Sequence, residues 1–329
     1  MRLSRPQHVL KNCTRKLGKQ SSQIINKGIS MLKNFSEIEE QVRSEKQRTI
    51  AVAMAEDLKI LTALEKARSK GLAKAILTGE KEKIKFILKK IGADEKNYDI
   101  VDSKGEQNSV SEAVSLVRNG AAQVLMKGLC STSVFLKGLL DKESGLRSGK
   151  VISHLALFES PNYHKLLMMS DAAINIAPDI SEKISILENA LFAAHNIGYH
   201  NPKVAIISAI EKVNPTGIPS SADAAIIAKM ADRGQIKGGI IDGPLAVDNA
   251  LSLHSCEVKG LKSPVGGEAD ICIVPNIETG NTFYKLLTIL GNAKVAGIIV
   301  GAKSPVVLTS RADSEESKYL SIITALKAS

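Results

Sequence analysis

Gly301-Ala302-Lys303-Ser304-Pro305-Val306-Val307-Leu308-Thr309-Ser310-Arg311-Ala312-Asp313, running on into Ser314-Glu315-Glu316, decides how this chain is read. Val306 to Leu308 is an apolar, partly β-branched run behind a proline and reads as a buried strand. Ser314 to Lys327 reads as a helix. A strand that turns directly into a helix belongs to an α/β layer. Such a turn leaves the helix's first N–H groups unpaired, and Arg311 beside them adds a bidentate donor, so Ser310-Arg311-Ala312-Asp313 is a candidate anion site. Asp313 with Glu316 three residues later equally fits a capping box, and Ser310 a simple turn.

Working upstream, strands and helices alternate. Leu32, Phe35, Ile38 and Val42 recur at helical spacing and predict a short amphipathic helix. Thr49–Ala55, Leu72–Leu77, Tyr98–Val101 and Gln123–Met126 read as strands, separated by helices Leu58–Ser69, Lys81–Lys90 and Ser111–Arg118, each followed by a glycine. This is βαβα with short connections, the pattern of a mostly parallel sheet covered by helices. The turn Lys127-Gly128-Leu129-Cys130-Ser131-Thr132-Ser133 ends one such strand and is a second candidate ligand site, with Lys127 and Thr132 its polar groups. Ser131 or Thr132 serves equally as a helix cap.

After Gly149, Val151–Phe158 and Leu166–Met169 have no long helix between them, which predicts antiparallel pairing and a change of domain. A second alternating series follows to Val300. Pro305–Ser329 is one strand and one helix, too little for a domain, and is expected to return to the first sheet. The expected division is 1–30 a basic extension, 31–150 plus 303–329 a first α/β domain, and 151–302 a second, with the cleft between them. Lys127, Thr132, Glu211, Asp242, Asp248, Asn281, Ser310, Arg311 and Asp313 stand at the strand ends.

Charge and cysteine usage narrow the classes. The net charge is +10, but Arg2, Arg5, Lys11, Arg15, Lys16, Lys19 and Lys27 lie in an acid-free stretch, and without these seven the remainder is only +3. With no Trp and few aromatics, a nucleic-acid role has little support. Residues 1–30 resemble a transit peptide in composition yet lack an apolar segment for secretion, and Met31 is an alternative start. The expectation for them is a disordered arm. Cys13, Cys130, Cys256 and Cys272 form no C-x-x-C pair and read as reduced thiols of a cytoplasmic protein. No apolar run is long enough to span a bilayer.

The remaining motifs are mostly negative. No H-x-x-x-H pair, Gly-x-Ser-x-Gly elbow, phosphate-binding P-loop or Gly-x-Gly-x-x-Gly fingerprint occurs. His154 and His164 read as packing or surface residues. Cys130, after a glycine at a helix start, is a weak candidate nucleophile.

Met126-Lys127-Gly128-Leu129, Gly145-Leu146-Arg147, Ser153-His154, Ser170-Asp171, Asn175-Ile176-Ala177-Pro178-Asp179 and Val213-Asn214-Pro215 stand in a telling order. They continue with Asp242-Gly243-Pro244-Leu245-Ala246-Val247-Asp248, Gly267-Glu268-Ala269-Asp270, Val274-Pro275-Asn276-Ile277-Glu278-Thr279-Gly280-Asn281 and Thr309-Ser310-Arg311-Ala312-Asp313-Ser314. From Thr49 onward the chain resembles the phosphate acetyltransferase/phosphate butyryltransferase family, more closely its butyryltransferase branch. The resemblance implies two three-layer α/β/α domains like those of isocitrate and isopropylmalate dehydrogenases. It also implies a homodimer, and reversible transfer of a butyryl or acetyl group between coenzyme A and phosphate. Coenzyme A is then substrate, with no organic cofactor.

The resemblance further implies that Ser310 and Arg311 handle the thiol and the phosphoryl group. The Asp that serves relatives as base falls at Ser317 here, with Asp313, Glu315 and Glu316 nearby; Asp313 is the expected substitute. Lys137 stands where an Arg is usual, keeping the charge without the fork. Lys127, Thr132, Lys137, Asn281 and Asp242 are the expected substrate-binding residues. Two rivals are an oxidoreductase on the related dehydrogenase fold, for which Asp242 and Asp248 alone make a thin metal site, and a catalytically silent coenzyme A-binding protein.

Overall fold

A computed structural model describes residues 32–310 and 313–329; the extension 1–30 and Arg311 lie outside the described residues. The expected first helix is present as α1 (Phe35–Ser44), capped by the Asn34 side chain and burying Phe35, Ile38 and Val42. Then follow β1 (Arg48–Ala53), α2 (Leu58–Ser69), β2 (Ala73–Gly79), α3 (Lys81–Lys90), β3 (Asp99–Asp102), α4 (Glu106–Arg118), β4 (Val124–Lys127) and α5 (Thr132–Leu139).

The second series comprises β5 (Ser153–Glu159), β6 (Leu167–Ser170), α6 (Ile180–Ile197), β7 (Lys203–Ile207), α7 (Pro219–Asp232) and β8 (Ile240–Leu245). It continues with α8 (Val247–Leu251), α9 (Leu253–Lys259), β9 (Ile271–Ile273), α10 (Ile277–Lys285) and β10 (Lys294–Val300), and β11 (Val306–Val307) and α11 (Glu315–Ala328) complete it. Asn281, expected at a strand end, lies inside α10, which starts at Ile277 because Asn276 caps it.

The described strands form one sheet in the order β3-β2-β1-β4-β11-β10-β5-β6-β9-β7-β8. β5 and β6 pair antiparallel, as the missing crossover helix requires, and β10 runs antiparallel to both β5 and β11. β11 pairs parallel with β4, Val306 opposite Leu125 and Val307 opposite Met126. The last strand therefore returns to the first set.

From Ile50 onward β1 is buried on both faces, which is why that part reads as an unbroken apolar run. Ile50 and Val52 join the core under α2 and α11, and Ala51 and Ala53 the core under α4 and α5. α11 is enclosed almost all round; its Leu320, Ile322, Ile323 and Leu326 together contribute on the order of 6–12 kcal/mol of burial free energy. That anchors the turn preceding it.

Candidate active site

The sheet order places the site. β2 lies on one side of β1 and β4 on the other, so the crevice outside the carboxyl ends of β1, β4 and β11 is a topological switch point. Gly128 has no side chain because a Cβ there would run into the Met54 carbonyl oxygen. The Gly128 N–H donates to the Ala53 carbonyl at 2.8 Å and Leu129 N–H to that of Met54 at 2.7 Å. This close approach draws Lys127, the buried last residue of β4, against the residues that follow β1.

The Ser310–Asp313 turn closes on itself. The Asp313 carboxylate accepts the Ser310 N–H at 2.7 Å, and the Ser310 carbonyl accepts the Asp313 N–H at 3.2 Å. Asp313 is therefore not the cap of α11. Ser314 holds that position, accepting the Ser317 N–H at 3.0 Å, and the expected Asp313–Glu316 capping box does not form. Two adjacent residues of nearly equal capping preference competed, and the tighter turn took the aspartate. Glu315 and Glu316 are exposed.

Two lysines not singled out in the sequence reach this turn. Lys59, exposed on α2, approaches the Asp313 carbonyl at 3.4 Å. Lys318, only 2% exposed, rises from beneath and donates to the Ser310 carbonyl at 2.7 Å and the Thr309 hydroxyl at 3.3 Å. Burial pulls the Lys318 pKa down from its ordinary value; Asp313 and Asp57 oppose that, while Lys59 and Lys127 reinforce it. A lysine at the interior face of a helix, one turn from its positive end, was the available sequence signal.

The opposite wall comes from β5, β6 and α10. His154 is buried beside Gly297, where a Cβ would stand 2.8 Å from Nε2, and its Nδ1 is enclosed without a hydrogen-bond partner among the described residues. Burial lowers its pKa, with Asp171 and Asp313 pulling the other way. Tyr284 lies over it at a ring separation of 6.2 Å, its hydroxyl pushed up to about 12 by burial and by Asp313. Asp171 itself closes a turn, accepting from Ala173, Ile174 and Asn175. Asn281 Nδ2 approaches the Ala172 carbonyl at 3.5 Å, one helical turn from Tyr284.

The other expected residues stand apart. Asp242 is on the edge strand β8, six strand spacings or roughly 29 Å from β11, and accepts from Ser263 and Gly243. Asp248 and Glu211 pair with Lys259 at 3.0 and 3.6 Å. Thr132 is exposed at the first turn of α5, which Ser131 caps, and Lys137 lines a groove of about 350 Å³ between α4 and α5 with Arg118 and Asp141. Cys130 is fully buried and burial raises its pKa, the reverse of an activated thiol. His164 sits at the surface beside Glu268. Among the described residues no three His, Cys, Asp or Glu side chains converge as metal ligands.

What converges is a turn ringed by lysines on one wall, and a buried imidazole and a phenol on the other. Residues 34–112 and 106–326 match the family described as phosphate acetyl/butaryl transferase. The chain is 48% identical over 295 residues to the phosphate butyryltransferase of Clostridium acetobutylicum, covering 90% of this chain and 98% of that one. It is 42% identical over 277 residues to the phosphate acetyltransferase of Thermotoga maritima, covering 84% and 94%. The crystal structure of a branched-chain phosphotransacylase from Enterococcus faecalis superposes with a TM-score of 0.77 at 37% identity, over 86% of this chain and 99% of that one.

Proposed function

Because the chain belongs to the phosphate acetyl/butyryl transferase family, we propose that the turn after β11 is where it exchanges a short acyl group between coenzyme A and phosphate. Its activity is that of a phosphate acyltransferase. The observation that carries the placement is the Ser310–Asp313 turn, held at the carboxyl ends of β1, β4 and β11 with Lys59, Lys127 and Lys318 around it.

In the direction of acyl-CoA synthesis the thiol gives its proton to Asp313, and the sulfur attacks the carbonyl carbon of the acyl phosphate. A C–S bond forms, the carbonyl oxygen becomes an oxyanion, and collapse breaks the C–O bond to release phosphate. Fixed donors at the developing charge stabilise that intermediate. We assign the phosphoryl group to Arg311, which rests on sequence resemblance, and the thiol to Ser310. Lys127 is a further anion ligand, and Lys137 and Thr132 reach the bound substrates from α5. Asn281 stands on the facing wall. Asp242 has a role only if a second subunit brings it to the cleft.

The wider proposal is a cytoplasmic homodimer that uses coenzyme A as substrate and no organic cofactor, with residues 31–150 plus 303–329 and 151–302 as its two lobes. Mixing the protein with butyryl-CoA or acetyl-CoA and phosphate, and following free thiol, tests the activity. Thiol release that depends on phosphate is expected; NAD(P) reduction without it would favour the dehydrogenase reading instead.

A further inference from the structure

Lys318 is placed against its own stability. It is the fourth residue of α11, within the first turn, where a cation opposes the helix dipole. It is 2% exposed, and a buried ammonium is costly unless a counter-charge meets it. Two other buried lysines have theirs, Lys165 on Asp270 at 2.6 Å and Lys183 on Asp223 at 2.7 Å. Lys318 has no carboxylate within ion-pair distance among the described residues. It spends its hydrogen bonds on the Ser310 carbonyl and the Thr309 hydroxyl. Asp313 and Asp57 act on it only at longer range, and Lys59 and Lys127 face it with like charge. A buried cation left short of negative charge stabilises an anion that arrives from outside.

We propose that Lys318 is a positioning residue for the thiol step, gripping Ser310 from beneath and, with Lys59 and Lys127, supplying the positive field in which the sulfur of coenzyme A is held as thiolate. This rests on the acyltransferase reading above. Sulfur is preferred to phosphate as the anion because Lys318 holds Ser310, the residue assigned to the thiol.

The arrangement also answers the missing base. With Ser317 where relatives carry an aspartate, the proton must pass to Asp313 or to water, and an ordinary carboxyl is a weaker base than a thiolate by about four to five pKa units. Lowering the thiol's pKa narrows that gap. The atoms balance: S–H breaks, its proton leaves to Asp313 and thence to solvent, and the sulfur's electron pair forms the C–S bond as C–O breaks.

The test is titration of the ultraviolet thiolate absorbance of coenzyme A bound to the intact protein, alongside steady-state kinetics. In the wild type the bound thiol should ionise at least about one pH unit below free coenzyme A, a tenfold gain in thiolate below the midpoint. Lys318→Met should return the midpoint towards the free value and move the acid limb of kcat, measured at saturating coenzyme A, upward by the same amount. The KM for acyl phosphate and for phosphate should stay within about twofold, since this role does not touch phosphoryl binding. Lys59→Gln, at an exposed position that leaves the core intact, should shift the thiol in the same direction by less.

A wild-type bound thiol that titrates like free coenzyme A overturns the proposal, whatever the variants do. A Lys318→Met change confined to the phosphate KM overturns it as well, assigning the lysine to phosphate. Absence of phosphate-dependent turnover in the wild type refutes the acyltransferase reading and this inference together; turnover with an unshifted thiol refutes this inference alone.

Discussion

The Asp313 carboxylate accepts the backbone N–H of Ser310 at 2.7 Å, so the aspartate closes the turn that presents the serine instead of capping the helix behind it. This makes structure and proton transfer separable. Asp313→Asn retains an oxygen able to accept the Ser310 N–H, so thermal unfolding should change little, while an amide cannot take a thiol proton. Acyl transfer to coenzyme A should fall by at least ~10²-fold near neutral pH, the low end for removing a general base. Activity within a few-fold of the parent at saturating substrates would exclude Asp313 and move the test to Glu316.

Arg311 follows Ser310 directly, and its assignment to the phosphoryl group rests on sequence. Arg311→Gln removes a charge and a bidentate fork, and losing a charge-assisted contact of this kind costs about 1.5–3 kcal/mol, roughly 10–150-fold in kcat/KM for acyl phosphate. A rise in KM for phosphate or acyl phosphate with an unchanged far-ultraviolet spectrum is expected. Unaltered phosphate kinetics would remove Arg311 from the site.

Away from the cleft, Lys165 and Asp270 form a buried ion pair at 2.6 Å, both side chains under 10% exposed. Asp270 also accepts the Lys203 N–H at 2.7 Å, joining β7 to the segment before β9. Asp270→Ala leaves the ammonium only the more distant, exposed Glu268 carboxylate at 3.7 Å and should cost about 3–5 kcal/mol of unfolding free energy. Urea unfolding that shows a loss below about 1 kcal/mol would mean that water or a rearranged Glu268 takes over the pairing.

His154 makes stability depend on pH. Burial holds its folded-state pKa below the ordinary 6.5, with Asp171 and Asp313 only partly opposing. Between the two values the unfolded chain binds a proton that the folded one does not, so this stability is present above 6.5 and lost as pH falls from there through the folded pKa. His154→Asn should flatten the loss of unfolding free energy between neutral pH and ~pH 5 relative to the parent. Equal slopes in both proteins would show that His154 is protonated in the folded state.

Much of this protein was legible in one dimension. The βαβα alternation, the antiparallel pairing after Gly149 and the return of Val306–Val307 to the first strand set all follow from periodicity and connection length. These report local backbone preference and whether one or both faces are buried. The strand–turn–helix at Ser310–Asp313 was visible for the same reason. Its capping was not, because Asp313 and Ser314 have nearly equal claims and the choice depends on which closes the tighter turn.

Tertiary structure decided which polar residues meet. Asp242 resembles Lys127 as a polar residue of a strand, yet strand order is not chain order, and six intervening spacings separate it from β11. The one mark Lys318 carries in the sequence is its place on the apolar face of a helix's first turn, and that alone does not say what its ammonium meets. Only the packing of α11 against α2 and the sheet buries its stem and turns the ammonium onto Ser310. Nor does His154 announce that its ring lies against the glycine at 297, enclosed with an Nδ1 that finds no partner among the described residues. Burial and long-range electrostatics are properties of what packs over a residue, and for Lys318, His154 and Tyr284 that covering comes from parts of the chain far away in sequence.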